Sequence, residues 1–320
     1  MVAFDLRQEK AAFVHRFDNI LFSPLGDNAN PMAVRRVADL AVRNGARLTL
    51  FGVIAEPSRM QRALHSDQYI ESIQEAERQA LSAELARCVP KVGDVPTESQ
   101  ISVGNPALKI IEQVLAVGHD LVVVTSDEDD EDHATIKRLL RKCPCPVWVI
   151  RPTRAKTQRV LAAVNPDPDE AELNRIILEL AASVASFYGG ELHVVHAWEL
   201  YGEATMRSSA FLHTPTEEIE ALLAEERSGH REALDALLAG SELQGQPWEI
   251  HLHKGPAAEI VHEVVAKQRI NLLVMGTVAR TGVTGLVIGN TAETVLDDVR
   301  CSVIAIKPPG FVSPVELATK

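Results

Sequence analysis

The feature of this sequence that most constrains its fold is an internal repeat that runs through almost the whole chain. Five segments, near residues 19–27, 44–51, 104–111, 120–124 and 145–152, each resemble a later segment, near 159–167, 188–195, 255–261, 271–275 and 301–308. The order of the segments is kept, and their offset drifts from 140 to 156 residues. A period this long predicts a duplicated domain rather than a solenoid of short repeats.

The chain is long enough for two such domains, because 320 residues exceed the usual size of a single domain of roughly 150 residues. The repeat predicts domains at 14–152 and 158–309, joined by a short polar seam at 153–158. Hydrophobic residues make up 46% of the chain and charged residues 24%. These fractions are ordinary for a folded globular protein and exclude general disorder.

Each half alternates apolar runs with amphipathic helical patterns. In the second half the runs at 160–164, 192–198, 272–275 and 303–306 are apolar on both faces, which is typical of parallel strands covered by helices. The run at 248–252 alternates instead and predicts an edge strand whose histidine-bearing face is wet. We therefore predict an α/β fold of two tandem, open, twisted five-stranded parallel sheets, Rossmann-like, with strand order 3-2-1-4-5 and helices on both faces.

The charge balance argues against a nucleic acid partner. The net charge is −12, which repels a phosphate backbone unless basic residues are concentrated in a patch. The longest basic cluster, Lys137, Arg138, Arg141 and Lys142, follows an acidic run directly. We predict no nucleic acid partner.

The chain also lacks the apolar segments that membrane insertion or export would need. No stretch approaches 18 consecutive apolar residues, and residues 1–17 lack the apolar core of a signal peptide. Cys143 and Cys145 could in principle bind a metal, but no second pair of ligands accompanies them, so we expect reduced thiols. These observations predict no membrane span and a cytoplasmic location.

The segment that best suits ligand chemistry follows the predicted fourth strand of the second half. Residues 276–289 contain four glycines and lead into a helix that is expected to begin at about Asn290. Glycines let backbone N–H groups approach a phosphate closely, and a helix N-terminus adds free donors and a positive dipole. Arg280 supplies a fixed positive charge, and Asn290 with Glu293 could form a capping box. On spacing alone, a glycine-rich turn that only reverses the chain is an equally good interpretation.

Three segments resemble the universal stress protein family, and its tandem-domain E-type members in particular. They are Val-Met-Gly-Thr-Val-Ala-Arg-Thr-Gly at 274–282, Gly-Asn-Thr-Ala-Glu at 289–293 and Cys-Ser-Val-Ile-Ala-Ile-Lys-Pro at 301–308. With the duplication and the strand order, the resemblance extends over about residues 14–309. It implies that a strand's carboxyl end and this loop bind ATP or a related adenine nucleotide.

The family pattern is Gly, two residues, Gly, nine residues, Gly, then Ser or Thr. Here the first glycine is Gly276, the second position is Ala279, the third is Gly289, and the Ser or Thr position is Asn290, followed by Thr291. The resemblance implies that Gly276 lies near the ribose and that the last three residues face the phosphates. A methyl group at Ala279 is expected to crowd the phosphate path if that position needs a positive φ.

The adenine side of the site is also assigned by resemblance. The family's Asp at the end of the first strand corresponds to Asn165, and a backbone contact on the second strand corresponds to Ala197. The complete candidate binding set is Asn165, Ala197, Gly276, Thr277, Ala279, Arg280, Gly289, Asn290 and Thr291. We predict no catalytic residue and no metal ligand.

The first half departs further from a nucleotide-binding pattern. After its fourth strand comes the segment 125–133, which has no glycine and carries six consecutive carboxylates at 127–132. Each carboxylate repels a phosphate at ~4–6 Å by about 1 kcal/mol or more. We interpret the segment as a solvated acidic loop rather than a Mg²⁺ site, and the first half as a degenerate, structural copy.

Four histidines lie on the second and third strands of the second half. His193 and His196 are on the second strand, and His251 and His253 are on the third. We expect half-exposed strand histidines rather than a metal site, because the sequence places no carboxylate or cysteine to complete a ligand shell. His230 lies on the long predicted helix between these two strands and is expected at the boundary of the core.

The functional expectation is a cytoplasmic stress-response protein whose second domain binds an adenine nucleotide or another phosphate-bearing ligand. We expect no enzymatic activity, or at most a very slow ATPase, because the sequence lacks the Walker, dinucleotide, nucleophile-elbow and zinc-protease motifs. The alternative is a scaffold or interaction module whose pocket is empty or holds an apolar or lipid-like ligand.

The expected partners are a small-molecule ligand and, within the chain, the two domains themselves. The last strand of each half, at 147–150 and 303–306, is apolar and predicted to be an outer edge. Exposed apolar edges are aggregation hazards that proteins cover or pair. We predict an intramolecular pseudo-dimer in which these two strands pair antiparallel; a homodimer of the whole chain is a further possibility.

Overall fold

The computed structural model divides the chain into two compact units. Unit 1 comprises Met1–Arg154, Thr277–Gly289 and Ser302–Lys320, and unit 2 comprises Ala155–Gly276 and Asn290–Cys301. The residues that the structure describes are 17–25, 30–89, 93–126, 130–152, 157–209, 211–241, 243, 247–277 and 290–317.

Strands and helices alternate along the chain. The strands are β1 (Asn19–Ser23), β2 (Arg47–Ile54), β3 (Thr97–Val103), β4 (Leu121–Thr125), β5 (Val147–Ile150), β6 (Arg159–Ala163), β7 (Glu191–Trp198), β8 (Trp248–Lys254), β9 (Leu272–Gly276) and β10 (Ser302–Ile306). The helices are α1 (Pro31–Asn44), α2 (Arg59–Leu64), α3 (Asp67–Cys88), α4 (Pro106–Val117), α5 (Asp130–Lys142), α6 (Ala171–Phe187), α7 (Glu203–Ser208), α8 (Thr216–Ala239), α9 (Ala257–Lys267) and α10 (Asn290–Asp298).

The strands of unit 1 lie in the order β3-β2-β1-β4-β5-β10. Strands β1 to β5 are parallel, and β10 pairs antiparallel with β5. In that pair Val303 lies opposite Val149, and Ile304 lies opposite Trp148. The predicted antiparallel pairing of the two fifth strands is therefore confirmed.

The strands of unit 2 lie parallel to one another in the order β9-β6-β7-β8. The predicted α/β class, parallel strands and helices are confirmed, but the division into two five-stranded sheets is not. Strand β10, the fifth strand of the second half, hydrogen-bonds to β5 and belongs to unit 1. The seam at 153–158 lies mostly outside the described residues, and the predicted domain limits stay a prediction.

Strand β8 differs from the expected pattern. Trp248 is 43% exposed, whereas His251, predicted to be on the wet face, is only 6% exposed. His251 lies against the buried His193 of β7, and α9 packs on both strands. A polar partner on the neighbouring strand makes burial of this imidazole possible, so the alternation did not identify the inner face.

The segment after β10 is fixed to the end of α5. Lys307 donates hydrogen bonds to the carbonyls of Leu140 and Arg141, and the hydroxyl of Ser313 donates to that of Lys142 at 2.7 Å. These carbonyls belong to the last turn of the helix, where no intrahelical donor is available. Burial lowers the pKa of Lys307 to about 8. The buried amine therefore caps α5.

The β5–β10 pairing can be tested by a cross-link. Opposed residues of an antiparallel pair have Cα atoms about 4.5–5.5 Å apart, which suits a disulfide. We expect the Val149→Cys/Val303→Cys variant to form a disulfide on mild oxidation, detected by peptide mass spectrometry. In the control variant, Val149→Cys/Ile304→Cys, the second thiol projects from the other sheet face, so no cross-link is expected. Equal cross-linking of both variants would contradict the register.

Candidate functional site

The candidate site lies at the carboxyl edge of the sheet in unit 2. Ala163, the last residue of β6, pairs with Val195 of β7 and with Met275 of β9. Asn165 follows β6 closely and Gly276 ends β9, so both residues reach the same edge of the sheet. The chain leaves β6 toward β7, on one side, while β9 lies on the other. This is the topological switch point at which open α/β sheets bind ligands.

The backbone of Asn165 is held by a buried side chain of α6. The backbone N–H of Asn165 donates to Oδ1 of Asn174 at 3.1 Å, and Nδ2 of Asn174 donates to the backbone carbonyl of Asn165. Asn174 is 1% exposed, whereas Asn165 is exposed. The side-chain amide of Asn165 is therefore the group that this residue presents at the edge. Asn174 was not identified from the sequence, where only its place on the inner face of a helix could have indicated it.

Helix packing by itself gives a reason for the absence of a side chain at Gly276. A Cβ atom at this position would lie 2.9 Å from Cδ2 of Leu173 and 3.9 Å from Cδ1 of Ile177. Both residues belong to α6, which covers β6 and β9. The glycine lets α6 lie close to the end of β9, next to the switch point.

Thr277 faces inward rather than toward the edge. Its N–H donates to the carbonyl of Ile306 at 3.0 Å, its hydroxyl donates to the same oxygen at 3.3 Å, and the residue is 1% exposed. Thr277 thus fixes the point at which the glycine-rich segment leaves the sheet. Its own donors are not available to a ligand.

The rest of the predicted site is described only in part. Ala279, Arg280 and Gly289 lie outside the described residues, and their assignment stays a prediction. Helix α10 begins at Asn290, as expected, and continues through Thr291. It packs on α9, and its buried face consists of Ala292, Val295 and Leu296. This packing fixes the helix N-terminus at which phosphates are predicted to bind.

Ala197 lies on β7 opposite His253 of β8 and is half-buried. The next residue, Trp198, accepts a hydrogen bond from the N–H of Gly255 at 2.9 Å. Position 197 therefore lies near the carboxyl end of its strand, as the resemblance requires for a backbone contact.

Two histidines beneath this edge form a pair that sequence reasoning missed. Nδ1 of His196 lies 3.2 Å from the carbonyl of Val164, and its Nε2 lies 2.9 Å from Nδ1 of His230 on α8. If Nδ1 of His196 donates to the carbonyl, Nε2 accepts from His230. His196 is 4% exposed, and desolvation, followed by the charge of His230, lowers its pKa to about 4. The expectation of half-exposed histidines is thus wrong for His196.

The same expectation is wrong for His193 and His251, which are 4% and 6% exposed. His253, in contrast, is exposed. Alternation of side chains along β7 puts His193 and His196 on opposite faces, as the sequence indicated. The apolar run at 192–198 predicted a strand covered on both faces, and the burial of both imidazoles agrees with that prediction.

At the corresponding edge of unit 1, the ends of β1 and β4 are joined through the side chain of Thr125. The hydroxyl of Thr125, the last residue of β4, accepts a hydrogen bond from the N–H of Leu25 at 3.1 Å and is buried. The acidic segment that follows lies outside the described residues at 127–129, and α5 begins at Asp130. The interpretation of this half as a structural copy stays a prediction.

Unit 1 also holds a cavity of about 280 Å³ at the carboxyl end of β2. It lies between α2 and α3, and Tyr69, Ile70 and Ile73 line it together with the acidic Glu56 and Glu77. Two carboxylates make this cavity a poor place for a phosphate.

Among the described residues, no helix is long and apolar enough to cross a membrane.

The buried imidazole of His196 predicts a loss of stability in acid. Its folded pKa, about 4, lies below the ordinary value of about 6.5, so the unfolded chain takes up the proton first. The stabilisation is present above pH 6.5 and is lost as the pH falls toward 4. Between pH 7 and pH 5 we expect a loss of about 2 kcal/mol in the free energy of unfolding from this residue.

Urea unfolding at both pH values measures this loss. The His196→Asn variant should show a smaller difference between pH 7 and pH 5 than the wild type. The matched control, His262→Asn, alters an exposed histidine of α9 and should leave the difference unchanged. An identical pH dependence of the wild type and His196→Asn would contradict the assignment.

Comparisons with known proteins agree with this architecture. The model of the Universal stress protein family matches residues 17–151 and 156–307. Universal stress protein E of Escherichia coli (strain K12) is 29% identical over 306 residues, which cover 89% of this chain and 92% of that protein. Its counterpart in Photorhabdus laumondii is 26% identical over 302 residues, covering 89% and 93%.

Solved structures show the same fold. A functionally unknown protein from Pseudomonas aeruginosa PAO1 has a TM-score of 0.64 at 24% identity, covering 92% of this chain and 94% of its own. A universal stress protein from Archaeoglobus fulgidus has a TM-score of 0.62 at 18% identity, covering 90% and 96%. At these identities the likeness establishes the fold and nothing beyond it.

Proposed function

Because the chain belongs to the universal stress protein family, with one domain in each half, we propose that it is a cytoplasmic stress-response protein that binds an adenine nucleotide, ATP or a close relative. The proposed site is the switch point of unit 2. The observation that carries the proposal is the shared edge at which Asn165 follows β6, Gly276 ends β9 and helix α10 begins at Asn290.

The phosphates of the ligand would bind at the start of α10. The first turn of a helix has N–H groups without intrahelical partners and a partial positive charge, both of which favour an anion. The segment before it contains Gly282, Gly285 and Gly289, which allow close backbone approach. Arg280 would add a charge-assisted hydrogen bond.

The base of the ligand would lie against β6 and β7. The exposed amide of Asn165 can both donate and accept hydrogen bonds, which suits the edge of an adenine ring. Its backbone is already bound by Asn174, so the side chain rather than the main chain would make this contact. The backbone near Ala197 would provide the second contact.

We propose a role in binding and signalling rather than catalysis, with at most a very slow hydrolysis of ATP. The sequence lacks the motifs by which the common ATPases position Mg²⁺ and water. The six carboxylates at 127–132 oppose phosphate binding in the first half, so we propose a single nucleotide site for each chain.

Two substitutions in the glycine-rich segment test the site. Calorimetric titration of the full chain with ATP should show tighter binding for Ala279→Gly, by about 1 kcal/mol, or roughly fivefold. Gly289→Val should abolish binding and leave the far-ultraviolet circular dichroism spectrum unchanged. The control is Gly229→Val, at a helical position with open space around it. Unchanged affinity in both loop variants would contradict the proposal.

A further inference from the structure

Unit 2 holds a second cluster of side chains that the proposed nucleotide site does not use. His193 of β7 and Glu249 and His251 of β8, which we call the His–Glu cluster, place one ligand atom each within 4.8 Å of one another. His193 pairs with Glu249 in the strand register, and His251 lies two residues further along β8. The cluster lies on the sheet face opposite His196, since His193 and His196 point to different faces of β7.

The distances in the cluster match those between the ligands of one cation. Nδ1 of His193 lies 3.0 Å from Nε2 of His251. Carboxylate oxygens of Glu249 lie 3.6 Å from the first nitrogen and 4.0 Å from the second. Tetrahedral coordination with bonds of about 2.1 Å puts ligand atoms about 3.4 Å apart. The three observed separations bracket that value.

We propose that the His–Glu cluster binds a divalent transition-metal cation of the Zn²⁺ type through Nδ1 of His193, Nε2 of His251 and the carboxylate of Glu249. Two imidazoles and one carboxylate suit Zn²⁺ and its neighbours, whereas Mg²⁺ and Ca²⁺ prefer sites made only of oxygen atoms. Three protein ligands leave the fourth position for water or an outside ligand.

The surroundings of His193 support this assignment. Its Nε2 atom is buried and has no hydrogen-bond partner among the described residues. When Nδ1 binds a cation, the proton of a neutral imidazole resides on Nε2, which lies 3.7 Å from a carboxylate oxygen of Glu191. A carboxylate behind a metal-binding histidine is the common arrangement that orients the ring. Glu191 is itself held by Arg159 at 2.8 Å.

The facing nitrogens of the two imidazoles suit a shared cation. Without a cation, one proton lies between Nδ1 of His193 and Nε2 of His251 and joins them in a hydrogen bond. A cation placed between the rings would accept both lone pairs at once.

A path for the cation is present on the outer side of the sheet. The side chains of His193 and His251 are 5% and 6% exposed, whereas that of Glu249 is 60% exposed. Strand β8 is the last strand of the sheet in unit 2, so solvent reaches Glu249 directly. The carboxylate can therefore take a cation from solvent and close over the imidazoles.

Zn²⁺ titration of the chelator-stripped full chain tests the proposal. We expect binding by isothermal calorimetry, and a visible absorption spectrum typical of four-coordinate Co²⁺ when that ion is used instead. Glu249→Gln and His251→Asn should each weaken Zn²⁺ binding by about tenfold or more. The matched control, His253→Asn, alters an exposed histidine two residues away on the same strand face and should change the affinity by less than about twofold.

The outcome can be decided even if one variant folds poorly. Glu249 is exposed, so Glu249→Gln should keep the circular dichroism spectrum and the metal-free Tm of the wild type. Zn²⁺ should raise the Tm of the wild type and of His253→Asn, but not that of Glu249→Gln. Absence of Zn²⁺ binding by the wild type, or equal affinity in the wild type and Glu249→Gln, would overturn the proposal.

Discussion

The hydrogen bonding between β5 and β10 is the interaction on which the organisation of unit 1 depends. Both strands are apolar on both faces. If their edges were exposed to solvent, they would promote aggregation. Their antiparallel pairing covers the edges of both strands. It also places Lys307, which follows β10, beside the end of α5. The pairing thus covers two apolar edges and positions the amine that caps a helix.

Much of the fold could be predicted because apolar periodicity and the internal repeat carry it. The run at 160–164 corresponds to β6 (Arg159–Ala163), and that at 272–275 to β9 (Leu272–Gly276). The antiparallel pairing of β5 with β10 could also be predicted, because two apolar edge strands have to be covered. The buried face of β8 could not be predicted: an alternating pattern identifies two faces, but the neighbouring His193 decides that His251 is buried.

The candidate site was less predictable than the fold. The motif identified Gly276, but Leu173 and Ile177 of α6 give that glycine a structural reason that no spacing rule contains. Asn174 and His230 act on the strand ends from other elements, 9 and 34 residues away from their partners. Their identification required the packing of α6 and α8. Residues that contact a ligand are often grouped in a recognisable sequence motif. Residues that position the motif are dispersed along the chain and form no such pattern.

The pairing of β5 with a strand that comes much later in the chain has a consequence for synthesis of the protein. Strand β5 ends at Ile150, but its partner β10 begins only at Ser302. At about 5–20 residues per second, the ribosome needs roughly 8–30 seconds to make the intervening chain. During that interval the edge of β5 has no strand to pair with, although the residues before it are already free to fold. Nascent chains therefore carry an unpaired apolar strand edge until β10 has been made.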